Sequence, residues 1–150
     1  FSSFFDGDFM TIRELYKTDL NYINEIADIY SAWWSNNKDK QKIKEDLVSS
    51  CNIITTKILL DGTLLIGVVQ LLTDDNINLE YTPYLANLYI KEDKRGNNLS
   101  KLLIMDIINT CKSMGFNKLY LHSKHINFYE KYGFKLIKEV NGKRLFSLDI

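Results

Sequence analysis

The chain alternates between two hydrophobic periods, and the changes of period mark its elements. FMTIREL (9–15) sets Phe9, Thr11 and Arg13 against Met10, Ile12 and Glu14, the pattern of a short strand with one buried face. Thr18 or Asp19 can then cap a helix whose apolar positions are Leu20, Ile23, Ile26, Ala27, Tyr30 and Trp33 or Trp34. Two adjacent tryptophans cannot both lie at the centre of one helical face. One belongs to the core, and the other to a rim where it can help wall a substrate pocket. SNNKDKQ (35–41) breaks the pattern. A second helix then runs to about residue 50 on Ile43, Leu47 and Val48, with its Lys and Glu residues in solvent. NIITTKILL (52–60) and TLLIGVVQLL (63–72) flank Asp61-Gly62, which predicts a hairpin with both central positions at positive φ. The second run is apolar on both faces and reads as a central strand covered on both sides. Gly67 within it marks a bulge or the close approach of another group.

TDDN (73–76) is a turn, and 78–81 can extend as a strand before Pro83. From Tyr84 to Gly115 the chain reads strand, polar turn, helix. Leu85, Leu88 and Ile90 sit among strand-forming neighbours, and KEDKRGNN (91–98) is a turn rich in charge, Gly and Asn. Beyond it Leu99, Leu103, Ile107 and Cys111 take helical spacing, Leu102 and Ile108 widen the stripe, and Gly115 stops it. Residues 116–122 form a short strand, and 126–132 about two turns of helix ended by Gly133. Residues 134–140 and 143–149 pair around Asn141-Gly142, a type I′ signal. The order β-α-α-β-β-β-α-β-α-β-β predicts an α/β chain with a central mixed sheet and helices on both faces.

Composition narrows the function classes. At 150 residues with 45% apolar content and one Pro, the simplest organisation is one globular domain. Lys plus Arg equals Asp plus Glu, 19 each, so no global field favours nucleic acid or a membrane surface. No apolar run approaches the ~20 residues of a spanning helix. The opening FSSFFDGDF has no basic leader, and residues 1–8 read as a loosely held tail or a non-native remnant. Cys51 and Cys111 do not form a disulfide framework, and no His and carboxylate spacing makes either a metal ligand. Cys111 reads as a buried reduced thiol, and the expected compartment is the cytoplasm.

The chemistry concentrates at the turn before the third helix. A helix entered from a Gly/Asn turn points unpaired N–H groups and its positive dipole end at whatever lies above it, which favours an anion such as phosphate. LYIKEDKRGNNLSKLL (88–103), followed by FYEKYGF (128–134), resembles the GCN5-related N-acetyltransferases, the GNAT family. The family hallmark, Gln/Arg-x-x-Gly-x-Gly/Ala, falls on Arg95, Gly96, Asn97, Asn98, Leu99 and Ser100. Asn98 stands where Gly is usual and Ser100 where Gly or Ala is usual. Asn tolerates left-handed φ better than most residues, and Ser is small enough for close backbone approach. The order of elements fits the family from about residue 9 to 149.

The resemblance implies an acetyl-CoA-dependent N-acetyltransferase acting on a primary amine of a small molecule or peptide, and the charge balance and residue spacing above lead us to expect no nucleic acid, membrane or metal. It implies that the amides of Arg95, Gly96, Asn97, Asn98, Leu99 and Ser100 cradle the coenzyme pyrophosphate, with Arg95 and Lys101 as nearby cations. Leu88, Tyr89 and Ile90 would hold the pantetheine arm like an added strand, and one of their N–H groups would polarise the thioester carbonyl. Tyr129 matches the family tyrosine that protonates the departing thiolate. No base is evident: Ala86 and Asn87 precede Leu88, and Glu80, His122, His125 or water remain open for that role. The acceptor would be framed by the first two helices around Trp33 and Trp34 and by the C-terminal hairpin. A homodimer is possible in this family. The missing base also leaves a non-catalytic acyl-CoA-binding sensory or interaction module as an alternative, and a purely structural domain as a third.

Overall fold

In chain order the elements are β1 (Met10–Glu14), α1 (Leu20–Trp33), α2 (Lys40–Ser49), β2 (Ile53–Asp61), β3 (Leu64–Leu72), β4 (Tyr84–Ile90), α3 (Leu99–Ser113), β5 (Lys118–Ser123), β6 (Lys135–Val140) and β7 (Lys143–Asp149). Single 3-10 turns lie at Glu92–Lys94 and Glu130–Tyr132. They come from a computed structural model, which describes residues 10–34, 39–73, 81–125, 127–140 and 142–150. The expected tail (1–8), most of the TDDN turn, the strand proposed from residue 78, Glu80, Ile126 and Asn141 lie outside the described residues.

The strands form one mixed sheet, β1-β2-β3-β4-β5-β7-β6, in which only the β4–β5 pair is parallel. β3 is buried from Leu65 to Leu71, as its continuous apolar run predicts. Its side chains divide between two cores. Ile66, Val69 and Leu71 join Leu103, Ile104 and Ile107 of α3. Leu65 and Val68 join Ile26, Ala27 and Tyr30 of α1 and Ile43 of α2. Helices therefore cover both faces, and burying each such aliphatic side chain stabilises by about 1.5–3 kcal/mol. Among the described residues no helix is long and apolar enough to cross a membrane.

Several local expectations need correction. Asp19 holds the N-cap position of α1 but makes no side-chain cap bond. Its carboxylate instead accepts two bonds from the Arg13 guanidinium, at 2.9 and 3.0 Å, and one from the Tyr16 N–H at 2.7 Å. Two bonds from a guanidinium cation outcompete a cap bond from a neutral backbone N–H. Leu20 is 65% exposed because side chains tilt toward the helix N-terminus, and this one begins α1. Val48 is exposed because it is rotated about 100° from Leu47, which packs inward. Asp61 pairs with Leu64, so the hairpin turn is Gly62-Thr63, and only Gly62 has positive φ. Gly67 shows both expected features: Ile66 is bulged beside it, and Tyr89 and Ile90 approach closely. The helix expected over 126–132 is one 3-10 turn. Asn127 has φ +63, which a right-handed helix cannot continue through.

Candidate active site

A bulge in β4 opens the site. Val68 lies opposite Tyr89 and Gln70 opposite Ala86. Between these pairs β3 supplies Val69 alone, whereas β4 supplies Asn87 and Leu88, which is the mark of a bulge. Asn87 adopts left-handed φ, +55. β4 and β5 share a single paired position, Tyr84 opposite Tyr120, near the start of β4. From the bulge onward, Leu88, Tyr89 and Ile90 line a cavity of about 520 Å³.

The turn after β4 forms the next wall. Gly96 has φ +87 and Asn98 φ +58. Asn98 thus holds the left-handed backbone that Gly would supply at the same motif position. It is the N-cap of the 15-residue α3 and makes no side-chain cap bond, so no side chain competes for the first-turn amides. Gly96, Asn98, Leu99 and Ser100 line the cavity. Helix dipole and amides together make this wall suited to an anion. Arg95 also lines it, but its Nε donates to the Ile90 carbonyl at 2.8 Å and its guanidinium lies 5.1 Å over the Tyr89 ring. The side chain braces the turn against β4. Asn97 does not line the cavity; its Nδ2 ties the turn to the Lys94 carbonyl at 3.2 Å. Lys101 is exposed and is also absent from the lining.

Tyr129 enters the same cavity from the loop after β5 and is 9% exposed. Its ring packs edge-on to Phe128, 4.8 Å between centroids, and to Phe134, 6.0 Å. Burial, with a smaller contribution from Tyr132, pushes its phenol up to about 12. The group therefore keeps its proton throughout the physiological range and can donate it in a hydrogen bond. Complete transfer from a phenol to a thiolate is uphill even at their ordinary values of about 10 and about 8.5, and burial makes it more so. A hydrogen bond to developing charge on sulfur is the cheaper form of assistance.

The candidate bases separate. His122, on β5, stacks on Tyr84 at 5.3 Å and does not line the cavity. His125 does line it. Glu80 lies outside the described residues, and no carboxylate lines the cavity among the described residues. Nor do three or more potential metal ligands cluster among them. The two tryptophans divide as their adjacency requires. Trp34 stacks on Tyr30 at 4.9 Å and packs against the α1–α2 core, while Trp33, 46% exposed, lines the cavity beside Tyr89. No described residue of α2 or of the β6–β7 hairpin contributes to the lining. Sequence reasoning passed over Asn87, and with it Tyr30 and Gln70, which bond to it. The available signal was polar residues inside otherwise apolar strands, since buried polar groups are bonded to something.

Comparison with known proteins identifies the family and the fold. The acetyltransferase (GNAT) family model matches residues 11–134. No curated protein matches the chain. Among solved structures, the PaiA N-acetyltransferase from Thermoplasma acidophilum in complex with coenzyme A is similar at TM-score 0.69 and 22% identity, covering 94% of this chain and 99% of that one. The aminoglycoside 6′-acetyltransferase type Ii is similar at TM-score 0.75 and 18% identity, covering 92% and 96%. The GNAT family N-acetyltransferase YhbS from Escherichia coli, in complex with coenzyme A, is similar at TM-score 0.74 and 15% identity, covering 98% and 84%.

Proposed function

The chain belongs to the GNAT acetyltransferase family and is an acyltransferase, and from that premise we propose that it moves acetyl from acetyl-CoA to a primary amine of a small molecule or peptide by direct attack on the thioester. One observation carries the reading. An open strand edge (88–90), an uncapped helix N-terminus (96–100) and a protonated phenol (Tyr129) meet in one cavity. The amides of the turn hold the pyrophosphate. The β4 edge takes the pantetheine arm as an added strand and directs an N–H at the thioester carbonyl, whose oxygen gains charge as the amine attacks. The C–N bond forms, the C–S bond breaks, and Tyr129 hydrogen-bonds to the departing sulfur.

The amine must arrive neutral. A lysine-type amine titrates near 10.4, so keeping it neutral at pH 7 costs about 4.6 kcal/mol. Water in the cavity, with His125 at its wall, takes the proton. The test is a screen of amines, polyamines, aminoglycosides and peptides, with detection of free CoA thiol. Acceptor-dependent thiol release supports the reading. The lack of a carboxylate on the described cavity wall favours a second reading, a module that binds acyl-CoA without turnover. It predicts coenzyme binding with no acceptor-dependent release from any member of the panel.

A further inference from the structure

The β4 bulge is held by a continuous run of buried and half-buried polar groups from three strands and a helix. The Tyr30 hydroxyl, on α1, donates to the Asn87 carbonyl at 2.7 Å. The Asn87 side-chain amide donates to Gln70 Oε1, on β3, at 2.7 Å. Gln70 Nε2 donates in turn to Thr56 Oγ1, on β2, at 3.2 Å. Tyr30 is fully buried, Gln70 3% exposed and Thr56 4% exposed. Gln70 stands in a strand whose other residues are apolar or glycine. An apolar side chain there would pack without any need for partners. Within the run stands Asn87, whose backbone is left-handed and which lies past Tyr84, the one position where β4 pairs with β5.

We infer that Tyr30, Gln70 and Thr56 are positioning residues that act through Asn87. They fix the β4 bulge so that the Leu88–Ile90 edge stays open and its amide is aimed at the thioester carbonyl. The inference rests on the acetyltransfer reading above. Left-handed Asn87 turns its carbonyl out of the ladder, where an unpartnered oxygen would favour relaxation to extended backbone. Tyr30 takes up that oxygen, and Gln70 locks the side chain of the same residue. Their hydrogen bonds go to Asn87 and Thr56, not to the helix N-terminus at 96–100 that would grip the pyrophosphate.

The test compares Tyr30→Phe with the wild-type protein. The kcat is expected to fall about tenfold, the value of one well-aimed hydrogen bond. The affinity for free CoA is expected to fall less than kcat, by no more than about threefold, because the loosened edge costs pantetheine contacts while the turn keeps its grip on the pyrophosphate. In the coenzyme-free variant, amide exchange at residues 87–90 should accelerate about tenfold while α3 stays protected. Gln70→Met should show the same split and serves if Tyr30→Phe does not fold. An unchanged kcat in the folded variants, or kcat and CoA affinity falling together with the folded fraction, would overturn the inference. The wild-type arm separates the two claims: if wild-type protein neither binds acetyl-CoA nor turns over, the acetyltransfer reading fails; if it does both and the variants match it, only the positioning role fails.

Discussion

Gly67→Ala tests how closely the sheet centre is fitted to the coenzyme strand. An ideal Cβ there would lie 2.6 Å from Ile90 Cδ1, 2.9 Å from the Tyr89 carbonyl oxygen and 3.3 Å from Leu103 Cδ1. The Ile90 and Leu103 methyls can rotate away, but the carbonyl belongs to backbone. To reach ordinary contact it must retreat from 2.9 Å to at least 3.4 Å, a shift of about 0.5 Å in a close-packed layer. Overpacking of this kind costs about 1–3 kcal/mol, and the lost flexibility of the unfolded chain returns about 0.4–1 kcal/mol. The expected net loss is about 1–2 kcal/mol, read as a fall in Tm of about 2–8 °C at this chain length. Because the displaced atoms lie on the cavity edge, acetyl-CoA affinity should fall with stability, by about threefold or more. Gly142→Ala is the control: nothing lies within 4 Å of its Cβ and its φ is +79, so it carries backbone strain alone. It should cost about 1 kcal/mol and leave acetyl-CoA affinity unchanged. A Gly67→Ala protein as stable as wild type, with unchanged affinity, would refute the fit described here.

Other expectations follow from the same geometry. Tyr129→Phe should lower kcat by about 10- to 100-fold, the value of a hydrogen bond to a developing charge, with acetyl-CoA affinity nearly unchanged; steady-state kinetics beside calorimetry reads both, and unchanged turnover would remove the phenol from the mechanism. Asn98→Gly should preserve coenzyme affinity, whereas Asn98→Ala should cost about 1–2 kcal/mol of stability through left-handed strain and weaken acetyl-CoA binding; equal behaviour of the two would show that φ at this position is unimportant. The Arg13 guanidinium holds the Asp19 carboxyl below its usual 3.8. A depressed folded pKa gives stability that is full above the unfolded value and lost as acid protonates the folded carboxyl. Asp19→Asn should therefore lower the urea midpoint at pH 7 by the equivalent of about 1 kcal/mol, and the gap should close as pH falls below about 4; a gap unchanged at pH 3 would contradict the pairing.

The fold was legible wherever one period dominated a long stretch. β3, apolar on both faces but for Gln70, and α3, with its Leu103–Ile107–Cys111 stripe, could be read directly. Errors arose where local signals competed. Asp19 offered a cap, but Arg13 six residues earlier in the chain made a stronger partner, and that pairing depends on how β1 meets α1. The Phe128–Tyr132 segment has helical spacing, yet left-handed Asn127 restricts it to one 3-10 turn. At the site, the Gly96–Ser100 turn and Tyr129 were visible because each sits in a short contiguous motif. The bulge was not, because it is assembled from Tyr30, Thr56, Gln70 and Asn87, which lie far apart in sequence and meet only across the sheet. The same distance hid which histidine faces the cavity: His122 and His125 are three residues apart, and the end of β5 separates their surroundings.

Thermal unfolding with and without acetyl-CoA tests the central claim most directly. Ligand at 100 times its Kd adds about 2.7 kcal/mol to the stability of a protein that binds it only when folded. For this chain that corresponds to a rise in Tm of about 5–11 °C. The account predicts that rise for wild-type protein, and its reduction in Asn98→Ala, where the anion-facing turn is strained. A melting temperature unmoved by saturating acetyl-CoA would contradict it.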